Sequence, residues 1–287
     1  MLKQRIITAV ILATLLVVAT TQLSAFNFAL FISCVVLLAS WEWGGFVGLR
    51  RNAEKAAFSA SILAMIVGLF FLLRIRPGGE SIDEQRVSMI LVLGLLFWTS
   101  ALFLLRGYPE NRNMWNNESK IACMDIFALI PAWAGLTQLK YLLTDGSLVI
   151  AIILLVASID IGAYFAGVNF GRRKLAPDLS PKKSWEGVWG GVAACLLVGA
   201  ACIWLMHNHV ISLAEYQILL LILLCFFICF FSIVGDLVES MLKRNQNMKD
   251  SSNLLPGHGG ILDRVDGLIA AIPCFVLFMM FIVRTAG

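Results

Sequence analysis

Residues 236–266 read DLVESMLKRNQNMKDSSNLLPGHGGILDRVD, and they interrupt a chain that is otherwise strongly apolar. The segment holds five carboxylates, four cations and a histidine. Ionisable groups inside strongly apolar helices are costly, and they usually mark a site that binds or transforms something. The segment therefore indicates chemistry at the end of an apolar helix.

The composition of the chain predicts a polytopic α-helical membrane protein. Its 287 residues are 60% hydrophobic and only 14% charged, and the mean hydropathy is +0.86. Soluble domains are about half apolar and about a quarter charged. The apolar runs are continuous, which disfavours a β-barrel, and a net charge of +4 is too small to suggest nucleic acid. The seven cysteines lie in apolar runs without a C-x-x-C pair, so we interpret them as packing residues.

The apolar runs predict an all-α protein of about nine transmembrane helices in a single domain. Residues 1–145 are interpreted as N-terminal helices, and residues 146–287 as the catalytic helices with their cytoplasmic loops. The first run resembles a signal peptide, but further helices follow it, so we expect it to be retained. The runs are 6–20, 26–49, 57–73, 87–105, 121–143, 148–170, 188–206, 214–242 and 262–283.

The basic residues predict a cytoplasmic N-terminus. Most of the 22 Lys and Arg residues lie either beside the N-terminus, as Lys3 and Arg5 do, or in every second connecting segment. Segments rich in Lys and Arg stay on the cytoplasmic side. This orientation also places the two polar loops, 171–187 and 243–262, in the cytoplasm.

One face of the eighth predicted helix carries Asp236, Glu239, Ser240 and Lys243, which are spaced as neighbours on a helix. Asp236 lies about 10 Å deeper than Lys243, at about 1.5 Å of rise per residue. The side chains of Lys243 and the adjacent Arg244 are long enough to reach the lipid headgroups, which explains their positions. The shorter side chain of Asp236 cannot do so, and it would reach water only through a cavity.

The loop after this helix predicts a phosphate site. Gly257, Gly259 and Gly260 allow a close backbone approach, and His258 offers a donor to a phosphate oxygen. An ordinary tight turn is the alternative. Asp263 and Asp266 then share a face of the ninth helix, and carboxylate oxygens suit Mg²⁺. Helix capping is the alternative for Asp263.

A second cluster surrounds the loop 171–187. Asp160 lies near the membrane midplane by its distance from the basic residues, although a bond between helices would also explain it. The loop combines hydroxyls with ammonium groups, as a polyphosphate ligand requires, although it also fits simple positive-inside charge. Three glycines after the loop predict close helix packing. The residues are Ser180, Lys182, Lys183 and Ser184, followed by Gly187, Gly190 and Gly191.

The residues together predict a membrane enzyme that transfers a phosphoryl or nucleotidyl group between a nucleotide and a phosphorylated lipid. Carboxylates would hold a divalent metal below the cytoplasmic face, and two basic loops would bring phosphates to it. Glu42, which lies between Trp41 and Trp43, receives no role from the sequence.

The run SMLKRNQNMKDSSNLLPGHGGILDRVD, residues 240–266, resembles the signature of the phosphatidate cytidylyltransferases. The segments GAYFAG, 162–167, and GRRKLAPDLSPKKSWEG, 171–187, look like the second motif of that family, with Ser184 where Thr is more usual. The opening MLK and the segment ASWEWG, 39–44, are similar to bacterial members. The resemblance covers most of the chain and is strongest from Asp160 onward.

The resemblance implies that CMP is transferred from CTP to phosphatidic acid, which gives CDP-diacylglycerol and pyrophosphate for phospholipid biosynthesis. It implies Mg²⁺, a monovalent cation such as K⁺, a homodimer, and a multi-pass position in the bacterial inner membrane with the active site on the cytoplasmic side.

The resemblance also assigns roles to residues. Asp236, Asp263 and Asp266 are the expected metal ligands, and with Lys243 they form the expected catalytic set. The remaining cations are expected to screen the repulsion between two polyanions. The expected substrate-binding residues are Asp160, Lys182, Lys183, Ser184, Ser240, Arg244, Lys249, Asp250, His258, Gly259, Gly260 and Arg264.

Other functions fit the sequence less well. The D-G-x-x-A-R pattern of CDP-alcohol phosphatidyltransferases is missing. A CTP-dependent polyprenol kinase would share the architecture but not the full run from Lys249 to Asp266. A transporter would use Asp160 and Asp236 as an ion relay, but the sequence shows no internal repeat and the polar residues cluster at one face.

Overall fold

The computed structural model describes the backbone of residues 2–286 and the side chains of residues 7–285. The side chains of Lys3 and Arg5, which contribute to the topology prediction, lie outside this described part. Within it the chain is mostly helical, which confirms the predicted class.

Eight of the described helices are long and apolar enough to cross a membrane. They are α2 (Ala25–Val47), α3 (Asn52–Leu72), α4 (Glu84–Arg106), α6 (Glu118–Leu142), α7 (Ser147–Phe170), α8 (Trp185–His209), α9 (Glu215–Asn245) and α10 (Leu262–Ala286). The first helix, α1 (Leu2–Gln22), contributes a shorter apolar segment, Ile7–Gln22. The short helix α5 (Arg112–Trp115) lies in a connection.

A small β-hairpin occupies the loop between α7 and α8, where the sequence analysis predicted no regular structure. Strand β1 (Lys174–Ala176) pairs antiparallel with β2 (Ser180–Ser184), and Pro177 and Asp178 lie in the turn between them. Pro and Asp favour turns because Pro fixes its own φ and Asp bonds to nearby backbone. The hairpin therefore gives the basic loop a fixed shape.

Helices α7 and α8 pack through small residues, as the glycines after the hairpin predicted. A Cβ atom added to Gly162 would collide with the backbone oxygen of Gly190, and one added to Gly190 would collide with Ala166. Gly187 and Gly191 face the backbone oxygens of Ala163 and Ile159 in the same way. Small residues allow such close backbone approach in membranes, where packing replaces the hydrophobic effect.

Helices α9 and α10 approach each other equally closely near residue 235. A Cβ atom on Gly235 would collide with the backbone of Asp266, and one on Gly267 would meet Ser232. This contact lies at the end of the bundle where α7 ends, α8 begins, α9 ends and α10 begins. The two polar segments of the sequence therefore converge at one end of the molecule.

Candidate functional site

Asp236 lies where the hairpin meets α9. It forms an ion pair with Lys183 of β2 and accepts a hydrogen bond from Ser240 Oγ at 3.3 Å. Both Asp236 and Lys183 line a cavity of about 320 Å³, together with Asp160 and Lys182. The structure thus brings residues from both predicted polar clusters to one cavity.

Lys243 joins α9 to α10. Its Nζ lies 2.6 Å from Glu239 Oε2 and 2.7 Å from Asp263 Oδ1. All three side chains are largely buried, so the ion pairs are only weakly screened by water. Sequence spacing placed Lys243 beside Glu239, but its contact with Asp263 depends on the meeting of two helices.

Asp263 holds the predicted phosphate loop in place. Its Oδ2 accepts hydrogen bonds from Ser251 N at 2.9 Å, Ser251 Oγ at 3.0 Å and Gly260 N at 2.8 Å. The N–H of Gly260 is thus directed at a carboxylate of the chain itself rather than at a ligand. Gly257 and Gly259 adopt φ of +77° and +84°, which favours glycine, so the turn interpretation of this segment also holds.

Glu42 is the residue whose role the sequence left open. It is 1% exposed, and its carboxylate accepts hydrogen bonds from Ser251 Oγ, Ser252 Oγ and the N–H groups of Ile261 and Leu262, at 2.6–3.1 Å. Leu262 begins α10, so Glu42 places a negative charge at the positive end of that helix. A glutamate inside an apolar run indicates that its carboxylate binds a buried partner, because an unpaired buried charge is costly. The sequence does not identify that partner.

A second cavity of about 670 Å³ lies on the loop after α9, lined by Lys249, Asp250, His258, Gly259 and Arg264. Arg264 donates from Nε and Nη2 to the carbonyl oxygen of His258, at 3.1 Å and 2.7 Å. His258 Nδ1 is buried without a hydrogen-bond partner among the described residues. Five of the predicted substrate-binding residues therefore line this cavity, and Nδ1 of His258 is available for a hydrogen bond.

Two carboxylates, Asp160 and Asp236, line the first cavity, and Asp266 of α10 lies close enough to Asp236 to interact with it electrostatically. Asp236 repels Asp160 of α7 and Asp266 of α10 electrostatically, while Lys183 attracts both. Asp266 Oδ1 accepts a hydrogen bond from the N–H of Gly267, at 2.8 Å. Among the described residues no three His, Cys, Asp or Glu side chains are already placed to hold one metal ion. The metal-ligand assignment of Asp236, Asp263 and Asp266 stays a prediction.

Ser184 and Glu186 fix the hairpin to α8. Ser184 Oγ accepts a hydrogen bond from Gly187 N at 3.2 Å, which makes Ser184 the N-cap of the helix. Glu186 accepts bonds from the N–H groups of Arg172 and Arg173. Thr caps helices as Ser does, so the Ser–Thr difference noted in the sequence preserves this contact.

The remaining predicted residues lie at the edge of the site. Arg244 is exposed at the end of α9, and Lys182 is exposed at the rim of the first cavity. Arg264 of the second cavity attracts Asp160 of the first, so the two cavities belong to one charged region. Such a region can hold polyanions against carboxylates that would otherwise repel them.

Known proteins resemble the chain over nearly its whole length. The model of the cytidylyltransferase family matches residues 3–282. A protein of Pseudomonas aeruginosa named phosphatidate cytidylyltransferase is 43% identical over 279 residues, which cover 97% of each chain. A protein of Haemophilus influenzae with the same name is 36% identical over 294 residues, which cover 98% of this chain and 100% of the relative. These matches confirm the resemblance drawn from residues 240–266.

Proposed function

The chain belongs to the cytidylyltransferase family, and we propose that it transfers CMP from CTP to phosphatidate, with CDP-diacylglycerol and pyrophosphate as products. The relatives named phosphatidate cytidylyltransferase support this activity. The structural observation that carries the proposal is the pairing of Asp236 with Lys183 at a cavity that Asp160 and Lys182 also line. A lipid phosphate and a nucleotide phosphate both need such a mixture of carboxylates and cations.

The carboxylates around Asp236 fit Mg²⁺ by their chemistry. Asp236 repels both Asp160 and Asp266, so a cation beside Asp236 would relieve the repulsion. Mg²⁺ is usually held by one or two carboxylates together with substrate phosphates, so a complete protein cage is not required. We propose Asp236 and Asp266 as the residues that hold Mg²⁺, which would polarise the phosphate under attack.

Asp263 fits a positioning role better than a metal role. Its carboxylate already accepts three hydrogen bonds and contacts Lys243. These bonds hold Ser251, Gly260 and the start of α10 in one arrangement. Asp263 would therefore keep Asp266, one turn later, directed toward Asp236.

The cations of the site would neutralise the negative charge of the two substrates. A phosphatidate oxygen is ionised at neutral pH and needs no strong base, but it must approach another polyanion. Lys182 and Lys183 lie at the first cavity, and Lys249 and Arg264 lie at the second. We propose that they hold the two sets of phosphates and stabilise the leaving pyrophosphate. A monovalent cation such as K⁺ remains an additional proposal that rests on the family resemblance.

The setting of the enzyme follows from the same proposal. CTP is cytoplasmic, so we place the N-terminus and both polar loops on the cytoplasmic side of the bacterial inner membrane. This agrees with the distribution of basic residues. A homodimer belongs to the proposal through the family resemblance alone.

The proposal is tested with the purified protein in detergent, supplied with CTP, dioleoyl phosphatidate and Mg²⁺. We expect CDP-diacylglycerol by mass spectrometry and pyrophosphate in equal amounts, and neither when phosphatidate is omitted or EDTA is added. Well-folded protein that makes neither product under any cation mixture would contradict the proposal.

A further inference from the structure

A third cavity, which is apolar and measures about 440 Å³, lies deeper in the bundle, between α7, α8, α9 and α10. Almost all of its lining is hydrocarbon. Its inner wall includes Ile228 and Met279, both at most 1% exposed, whereas Leu154 and Leu205 at its rim are exposed. The cavity is therefore a recess that reaches buried residues.

The recess continues the walls of the polar cavity. Along α9, the side chains of Leu221, Cys225 and Ile228 line the recess, and Ser232 and Asp236 line the polar cavity on the same stripe.

Along α7, Ala151 and Leu155 line the recess, and Ile159 and Ala163 line the polar cavity. The lining thus changes from charged to apolar along one path, as a lipid changes from headgroup to chain.

The depth of the recess matches the end of a lipid chain. At about 1.5 Å per residue, Ile228 lies about 12 Å below Asp236 and Leu221 about 22 Å below it. Half of the hydrocarbon core of a bilayer is about 15 Å thick. A lipid whose phosphate is drawn to Asp236 would therefore place the end of an acyl chain in the recess.

We propose that the recess receives the distal end of an acyl chain of the lipid substrate and thereby sets the chain length that the enzyme prefers. The inference rests on the proposed function, because it takes the phosphate of that lipid to bind beside Asp236 and Lys183. An apolar recess that reaches buried residues suits one hydrocarbon chain better than the broad face of a second protein.

The test compares rates with dioctanoyl and dioleoyl phosphatidate for Ala151→Phe and Cys202→Phe, which fill the recess. Leu197→Phe is the control, because Leu197 is 74% exposed on α8 and lines neither cavity.

A misplaced methylene in an apolar pocket changes selectivity by about tenfold, so we expect the rate ratio of long to short chains to fall about tenfold in both recess variants. The ratio should be unchanged in Leu197→Phe. An unchanged ratio in active recess variants would overturn the inference.

Photocrosslinking of the wild-type protein gives a second test that needs no variant. Phosphatidate with a diazirine at the end of its acyl chain should label residues 221–228 of α9. Label confined to outward-facing residues such as Leu197 would overturn the inference. A wild type that transfers CMP to neither lipid would instead contradict the proposed function, and the crosslinking result would still decide whether the recess holds a chain.

Discussion

Asp236 connects the hairpin to α9 through its ion pair with Lys183, and it repels Asp160 of α7 and Asp266 of α10. In the proposed reaction, this carboxylate would balance the cations that hold phosphate and would supply oxygen to Mg²⁺. Asparagine has the same shape as aspartate but no charge, so replacing Asp236 with Asn separates the effect of its charge on catalysis from its effect on folding.

Asp236→Asn is expected to lower turnover by about 100-fold or more, because charge stabilisation worth several kcal/mol is lost. Asp266→Asn should behave alike. The measurement is the rate of CDP-diacylglycerol formation, with the melting temperature as a check on folding. Asp178→Asn, in the exposed turn of the hairpin, is the matched control. Activity near the wild-type level in Asp236→Asn would refute the metal assignment.

Glu42→Gln tests a contact between the first part of the chain and the site. The carboxylate accepts four hydrogen bonds, whereas an amide can accept at only one of its two end atoms. Unpaired buried donors cost about 1–3 kcal/mol, so we expect that loss in the free energy of unfolding.

We also expect Glu42→Gln to raise the KM for CTP or for phosphatidate, since the loop of the second cavity would shift. Glu80→Gln, at an exposed position between α3 and α4, should change neither quantity. Wild-type stability in Glu42→Gln would contradict the role given to this carboxylate.

At the level of elements, the hairpin gives adjacent lysines different roles. Lys183 points to Asp236, while Lys182 is exposed at the cavity rim. A loop without strands would not fix this alternation, because side chains alternate only along an extended strand.

Lys182→Ala is expected to raise the KM for CTP or phosphatidate by about tenfold, which corresponds to one lost charge-assisted contact of about 1.4 kcal/mol. Thermal stability should not change, since Lys182 is exposed. Steady-state kinetics with each substrate varied in turn provide the measurement. If neither KM changes, the only role left for the basic loop is to set the orientation of the chain in the membrane.

The contact between α7 and α8 leaves no room for a side chain at Gly190. We expect Gly190→Leu to separate the helices and to destabilise the protein by about 1–3 kcal/mol, as overpacking does. Thermal unfolding in detergent would measure the loss. Gly68→Leu on α3 is the control, because a Cβ atom there meets nothing within 4 Å. Equal stability of the two variants would contradict tight α7–α8 packing.

The features that the sequence predicted correctly are those that a short stretch of residues determines. Helix length and hydropathy predicted the helices, and residue spacing placed Asp236, Ser240 and Lys243 on one face of α9. The resemblance at residues 240–266 identified the family. Such features depend on neighbours in the chain, which the sequence displays directly.

The remaining features depend on contacts between distant segments. Glu42 reaches Leu262 across most of the chain, and Asp263 meets Lys243 only because α9 and α10 pack at Gly235. No periodicity encodes such pairs. The role of Ser184 as a helix cap was also missed, because the loop before it was not expected to form a hairpin.

At the scale of the whole molecule, the proposed orientation places the polar elements of the site on one side of the membrane. With a cytoplasmic N-terminus, the hairpin and the loop after α9 lie on the cytoplasmic side, and the connection between α3 and α4 lies outside. Arg112, in the segment before α6, contacts Asn245 at the end of α9. Both would be cytoplasmic in this orientation.

The orientation is tested by labelling single added cysteines with a membrane-impermeant maleimide. Glu80→Cys, between α3 and α4, should react in intact spheroplasts. Asp178→Cys, in the hairpin turn, should react only after the membrane is opened. The unmodified protein, with its seven native cysteines, provides the background signal. The reverse pattern would place the site on the wrong side for CTP.

The most direct test of the proposed reaction follows the separate phosphates of CTP. The purified protein is given phosphatidate and Mg²⁺ with CTP labelled either at the α-phosphate or at the γ-phosphate. Transfer of CMP predicts that the α-label enters the lipid and the γ-label leaves in pyrophosphate. A γ-label in the lipid would mean phosphoryl transfer, as in a CTP-dependent kinase, and would contradict the account.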